Sequence, residues 1–305
     1  MILMSNPGKY LIVNDDSFAW LKTRKPKTIH AVVTDPPYSV VEYSPKQLEK
    51  RDNGNGGIWR LPQSYDGCTR SPIPRFTVLS RKDLELIADF HGKLAPSLMR
   101  VLVPGGHVLI ASQVLLSHIV IREFCEAGFE LRGQIVRVVR TLRGGDRPKG
   151  AHDRYPEISV SPRACWEPWI VFRKQCEGCV RDNLAKWSVG GLRRPSENMP
   201  FHDIIISCCA RGQERHIAPH PSLKPQAFLR QIVRAVLPLG KGVILDPFMG
   251  SGSTIAAASC LGMKSIGVEV NAKYFSLAEK AIPHLARLRA NGTANGSLPV
   301  LDRES

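Results

Sequence analysis

The chain has 305 residues, 43% of them hydrophobic, enough to bury a sizeable core in one large α/β unit. Its 42 Lys and Arg against 27 Asp and Glu leave a net charge of +15, a field suited to a polyanionic partner. No window approaches the roughly 18 uninterrupted apolar residues of a membrane span, and the opening Met1-Ile2-Leu3-Met4-Ser5-Asn6-Pro7 lacks the layout of a secretory signal, so a cytoplasmic protein is expected.

In chain order, residues 10–13 read as a short strand closed by Asn14-Asp15-Asp16, and residues 17–21 as a short helix. Residues 29–33 form the next predicted strand, with Asp35 just past its end. Residues 39–82 are polar and basic, with 8 Lys/Arg and 4 Asp/Glu, and are broken by Asn53-Gly54-Asn55-Gly56-Gly57. A loop of about 40 residues is unusual in a compact domain, and a mobile, functional segment is expected. Leu84, Ile87, Leu94, Leu98 and Val101 make a helical stripe interrupted at Pro96. Pro104-Gly105-Gly106 reads as a turn and residues 107–111 as a buried strand. A helix carrying Leu115, Leu116, Ile119 and Phe124 ends at Gly128.

Strands are predicted over 134–139 and 169–172, with a basic, loop-like stretch over 141–161 between them, and residues 174–218 show no strong period. Pro225 opens a helix through Val236, proline being favoured in a first helical turn. Residues 242–245 and 265–269 read as strands and 254–261 as an Ala-rich helix. Residues 272–282 read as a helix stopped by Pro283, and the tail from Asn291 as disordered. Helices alternating with mostly continuous apolar strands argue an α/β fold with a doubly wound, mostly parallel sheet. The eight cysteines are expected as thiols. Cys176-x-x-Cys179 lacks two further donors at a standard zinc spacing, so no metal is expected.

Two segments sit at strand ends. Asp246-Pro247-Phe248-Met249-Gly250-Ser251-Gly252-Ser253-Thr254 joins strand to helix through a glycine-rich turn, the place where ligands bind in doubly wound folds. Gly250 and Gly252 leave the backbone open to close approach, and Ser251, Ser253 and Thr254 add hydroxyls. The start of the helix points free N–H groups outward, a fit for a carboxylate. Glu269 ends the following strand, where its carboxylate can accept from two ribose hydroxyls. The spacing is not that of a dinucleotide fingerprint, whose third glycine would fall at Ile255.

Asp35-Pro36-Pro37-Tyr38 is the second segment. Its prolines pre-set an extended backbone, so the Asp35 carboxylate and the Pro36 carbonyl face one spot. An exocyclic amino group has two N–H donors and matches two acceptors. Holding both hydrogens out of the ring plane localises the lone pair on nitrogen for attack on an electrophile. Tyr38 offers a face on which an extruded base can stack.

Together the two segments resemble those of the amino-group DNA methyltransferases. Their order, catalytic segment before cofactor loop, resembles the permuted class called β, over most of residues 10–285. The resemblance implies a Rossmann-like methyltransferase fold that uses S-adenosylmethionine and carries an inserted target-recognition region. It also implies that Phe248 packs near the adenosyl group and that Asp16 approaches the adenine end of the cofactor. Lys224, within His220-Pro221-Ser222-Leu223-Lys224-Pro225, would neutralise the methionine carboxylate. Gly128-Phe129 and Trp166-Glu167-Pro168-Trp169 resemble later family motifs, whereas Arg137 stands where the family often shows Trp-x-Lys.

Asp in the first position of the catalytic segment resembles the adenine-N6 enzymes more than the cytosine-N4 enzymes, which more often show Ser. Sequence-specific methylation of adenine N6 in double-stranded DNA, with base flipping, is therefore expected. The alternatives are cytosine-N4 methylation, a catalytically silent DNA-binding subunit, or methylation of RNA or a protein amide. Residues 132–194 hold 14 Lys/Arg and 6 Asp/Glu, and residues 140–218 are the candidate target-recognition region. Arg140, Arg143, Arg147, Lys149, Arg193 and Arg194 are its expected phosphate or guanine contacts. One catalytic domain over 1–290 and a tail over 291–305 are expected. A homodimer and a cognate restriction enzyme are the protein partners the resemblance allows.

Overall fold

The structure is a computed structural model that describes residues 2–5, 10–37, 64–65, 68–69, 80–139, 148, 150–151, 153–162, 165–210, 212–220 and 222–289. Its elements are β1 (Ile2–Ser5), β2 (Tyr10–Asn14), α1 (Ser17–Lys22), β3 (Ile29–Thr34), β4 (Ser64–Tyr65), β5 (Cys68–Thr69), α2 (Arg81–Val101), β6 (Leu102–Ala111), α3 (Ser117–Glu126) and β7 (Glu130–Val138). There follow β8 (Trp166–Arg173), α4 (Val180–Trp187), β9 (Ile204–Ile206), α5 (Gln213–Ile217), α6 (Gln226–Val236), β10 (Val243–Asp246), α7 (Ser253–Cys260), β11 (Lys264–Glu269) and α8 (Ala272–Arg287).

Nine strands form one sheet in the order β1-β2-β11-β10-β3-β6-β8-β7-β9. The run from β2 to β6 is parallel throughout, while β8 lies antiparallel to both its neighbours. The expected doubly wound, mostly parallel sheet is thus present. Its central strands are apolar on both sides because helices cover both faces. Ala31 and Val33 of β3 point into a cluster with Phe228, Leu229 and Ile232 of α6; Val32 points the other way, among Leu94 and Leu98 of α2. The strand leading into Asp35-Pro36-Pro37 lies directly beside the strand leading into the glycine turn, with Ala31 opposite Ile244 and Val32 opposite Leu245. Both segments therefore emerge at the same end of the sheet, beyond the carboxyl ends of two parallel strands.

Several predicted boundaries move. Pro104-Gly105-Gly106 is not a turn but lies inside β6. The β3–β6 register shifts there, from Ile29 opposite Leu102 to Ala31 opposite His107, so these residues form a bulge. Gly105 (φ 74°) donates its N–H to the Lys174 carbonyl at 3.0 Å, and a Cβ at this position would collide with Asn183 Nδ2. Pro96 and Pro283 each sit within a continuous helix. A proline forfeits one backbone bond, and burial of Leu94, Ala95 and Leu98 in α2, and of Ala281, Ile282 and Leu285 in α8, outweighs it.

Residues 81–82 belong to α2, because Ser80 and Asp83 close a capping box that starts the helix there. Residues 174–218 carry α4, β9 and α5, of 8, 3 and 5 residues, too short to show a period. Cys179 donates its thiol to Asp182 Oδ2 at 2.9 Å. Among the described residues no His/Cys/Asp/Glu group could hold a metal ion, and no helix is long and apolar enough to cross a membrane.

Candidate active site

A cavity of about 560 Å³ opens where β2, β3, β10 and β11 end, within the range of ligand pockets, roughly 300–1,000 Å³. The glycine turn forms one wall. Glu269 holds that turn: its Oε2 accepts the Gly250 N–H at 3.0 Å and its Oε1 accepts the Asn271 N–H at 2.8 Å. Each carboxylate oxygen keeps a further lone pair for a ligand. Gly252 caps α7 with φ +80°, a left-handed conformation that favours glycine, and a Cβ there would lie 2.5 Å from Ile282 Cγ1.

The adjoining wall is aromatic. Phe18, Phe90 and Phe248 meet with ring centroids 5.5, 5.6 and 6.5 Å apart. Asp16 caps α1, its Oδ1 accepting the Ala19 N–H at 2.9 Å, and this places its carboxylate at the cavity rim. Ser17 Oγ donates to the Pro247 carbonyl and ties α1 to the cofactor loop. His220 packs edge-on against Tyr274, with centroids 4.3 Å apart, and covers Gly250. Asp246 is buried below the turn; its Oδ1 accepts from Thr34 Oγ1 at 2.8 Å and from the Phe248 N–H at 3.2 Å. Burial pushes its carboxyl up to about 6.

Asp35, Pro36 and Pro37 line the same cavity. Lys224 Nζ donates to Asp35 Oδ2 at 2.5 Å and stands 3.8 Å from Glu167 Oε2. Glu167 in turn accepts from Trp169 Nε1 at 2.7 Å and from Arg137 Nη1 at 3.2 Å. Arg137, 4% exposed, also donates to Ser207 Oγ at 3.2 Å and to the Cys208 carbonyl at 2.9 Å. Burial raises the Asp35 carboxyl above its ordinary range, against the pull of Lys224. Burial also opposes ionisation of Glu167, but Lys224 and Arg137 together hold it below its ordinary range. Burial would lower Lys224, yet the two carboxylates keep its ammonium above the usual lysine range.

Asp16, Asp35, Pro36, Pro37, Lys224, Asp246, Pro247, Phe248, Gly250, Ser251, Ser253, Thr254 and Glu269, all singled out in the sequence, line this one cavity. Gly252 lies beneath the turn, against Ile282. The Lys224 ammonium rests on Asp35, whereas the sequence reading put it on a cofactor carboxylate. Tyr38, Arg140, Arg143, Arg147 and Lys149 fall outside the described residues.

Arg193 and Arg194 are not brought to the cavity. The Arg193 N–H donates to the carbonyl of Ala235, in the last turn of α6, and Arg194 donates to the Glu197 carbonyl. The 11-residue α6 begins just after Lys224, so this position lies roughly 14 Å along the helix from the site.

Sequence reasoning missed the roles of Glu167, Arg137, Phe90, His220 and Tyr274. Glu167 and Arg137 carried a signal, since each is a charge set in a locally apolar run, residues 166–172 and 135–139. Phe90 and Tyr274 lie on helices, where an aromatic residue reads as core.

A doubly wound sheet whose glycine turn and acidic strand end face an Asp-Pro-Pro corner across one cavity defines a group-transfer enzyme with a nucleoside-type cofactor site. The chain belongs to the DNA methylase family of N6/N4 type, which it matches over residues 29–280. It is 22% identical over 285 residues to the type II methyltransferase M2.DpnII of Streptococcus pneumoniae, covering 92% of this chain and 94% of that protein. Its fold is similar to that of M1.HpyAVI in complex with SAM, with a TM-score of 0.55 and 19% identity over 90% of this chain and 98% of that one. It is also similar to the cytosine-N4-specific PvuII DNA methyltransferase, with a TM-score of 0.56 and 14% identity over 94% of this chain and 89% of that one. The expected family and fold are thereby borne out.

Proposed function

We propose that this protein is a site-specific methyltransferase that uses S-adenosylmethionine to methylate adenine N6 in double-stranded DNA. One observation carries the reading: the Asp35-Pro36 corner and the Gly250–Thr254 turn share one cavity, on adjacent strands.

The residues present fit the cofactor. Glu269 retains lone pairs for the ribose hydroxyls, and Phe18, Phe90 and Phe248 offer an apolar wall for its base. The first N–H groups of α7 provide for its carboxylate. When bound, this cofactor supplies an electrophilic methyl group.

The protein's own part is to position and to deprotonate. The Asp35 carboxylate and the Pro36 carbonyl accept the two amino hydrogens of the target base, which frees the nitrogen lone pair. Asp35, whose carboxyl is raised by burial, then takes up the proton that the nitrogen sheds. The corner is recessed, so the base must leave the helix stack to reach it. The net charge of +15 supports a polyanionic substrate. Aspartate at position 35 favours adenine over cytosine.

The test is tritium transfer from labelled S-adenosylmethionine to unmethylated genomic DNA, followed by nucleoside chromatography. Label in N6-methyladenine is expected, and label in N4-methylcytosine would overturn the choice of base. Transfer to RNA alone would overturn DNA as substrate, and no transfer at all would favour a silent DNA-binding subunit.

A further inference from the structure

We propose that Glu167 and Arg137 are positioning residues that fix Asp35 through Lys224. The inference rests on the reading of Asp35 as the group that receives the target amino group. It begins with a choice open to Lys224, whose ammonium lies between two carboxylates, Asp35 at 2.5 Å and Glu167 at 3.8 Å. Glu167 does not compete at full strength because the Arg137 guanidinium already offsets its charge, 3.2 Å from Oε2. Trp169 Nε1 donates to Oε1 at 2.7 Å and Arg137 Nη1 donates to Oε2 at 3.2 Å.

Arg137 is itself held from a third strand region, by Ser207 and Cys208 just past β9, and its guanidinium lies 5.1 Å from the Phe228 ring centroid. The chain Arg137–Glu167–Lys224 thus leaves the ammonium to Asp35 Oδ2. Among the described residues Asp35 Oδ1 has no hydrogen-bond partner, which leaves it, in one fixed orientation, to a single amino hydrogen.

Stability alone gives no reason for such a cluster. Buried ion pairs replaced by apolar residues of similar volume often leave a protein as stable or more so. Two acids and two bases gathered where Asp35 and Lys224 line a cavity are instead the arrangement by which sites set the charge of a working group.

Among the described residues, the charged groups facing Asp35 are Lys224 from the segment before α6, Glu167 from β8, Arg137 from β7 and Asp246 from the end of β10. Two substitutions should act on Asp35 in opposite directions. Arg137→Met releases Glu167 to draw Lys224 away, so Asp35 titrates at higher pH. Glu167→Gln leaves Lys224 wholly to Asp35, so Asp35 titrates at lower pH.

The experiment is a carbon-13 NMR titration of the full-length, cofactor-free protein labelled at its aspartate carboxyls. Asp35 is assigned by the signal lost in Asp35→Asn. Opposite shifts in the two variants are expected. An unmoved Asp35 signal, or shifts of the same sign, would overturn the proposal. If Arg137→Met fails to fold, the near-isosteric Glu167→Gln decides alone: an Asp35 that does not move down refutes it.

In single-turnover assays with labelled S-adenosylmethionine and unmethylated genomic DNA, the acidic limb of the rate profile should follow the same directions. Arg137→Met should lose between about tenfold and a hundredfold in rate with cofactor affinity kept, and Arg137→Lys should recover most of it. The titration needs no turnover, so absence of methyl transfer by the parent protein would count against the proposed function alone.

Discussion

Thr34 Oγ1 donates to Asp246 Oδ1 at 2.8 Å, joining two residues 212 positions apart in the chain. Thr34 ends the strand that leads into Asp-Pro-Pro, and Asp246 ends the strand that leads into the glycine turn. The bond fixes the Asp-Pro-Pro corner against the glycine turn at the point where both strands stop. Asp246 also accepts the Phe248 N–H, so one buried carboxylate shapes the turn and aligns it.

This placement has a measurable pH signature. Burial raises the Asp246 carboxyl from 3.8 to about 6. A folded-state value above the unfolded one means that the folded protein binds the proton more tightly. Asp246 therefore costs nothing below about pH 4, costs progressively more as pH rises to about 6, and carries its full penalty above that. Two units correspond to about 3 kcal/mol. Urea denaturation of Asp246→Asn should show stability rising relative to the parent by that order between pH 4 and pH 7. Parallel pH curves for the two proteins would refute the assignment.

Glu269 makes two charge-assisted bonds to backbone N–H groups, those of Gly250 in the glycine turn and of Asn271, which caps α8. Glu269→Gln keeps the shape but points an amide N–H₂ at one of those donors. With each such bond worth about 1.5–3 kcal/mol, S-adenosylmethionine affinity should fall between about tenfold and a hundredfold. Isothermal titration calorimetry measures this, and an unchanged affinity would remove Glu269 from the cofactor site.

Gly252→Ala combines left-handed backbone strain with a collision against Ile282 Cγ1, 2.5 Å from the added Cβ. The two effects should destabilise the fold by about 2–4 kcal/mol in chemical denaturation. A stability within 0.5 kcal/mol of the parent, about the scatter of an ordinary surface substitution, would show that the turn relaxes freely.

On the proposed function, Asp35→Ala removes the acceptor for the amino group while leaving the glycine turn and Glu269 in place. Methyl transfer should fall by about 10²–10⁴-fold with calorimetric S-adenosylmethionine affinity retained. Substantial residual turnover would refute the role given to Asp35.

Both key segments were legible before the fold was known, because each has a local mechanism. Prolines restrict Asp35 within a few bonds of it, and Gly250 and Gly252 declare a tight turn wherever the chain takes them. The sheet was legible for the same reason: continuous apolar runs such as residues 29–33 and 242–245 cannot face water on either side. The helix through Pro283 and the bulge at Gly105 were not legible. In both, packing against distant residues overrode a local preference that was read correctly.

The sequence by itself determined the chemistry at each strand end, since a residue's donors, acceptors and backbone limits travel with it. Tertiary structure decided which of those groups meet. It set β3 beside β10, gave Lys224 to Asp35, and brought Glu167 and Arg137 from two further strands to share that ammonium. It also carried Arg193 to the far end of α6. Electrostatic partnership between residues dozens to hundreds of positions apart depends on strand order and register, and no local pattern in the chain encodes either one.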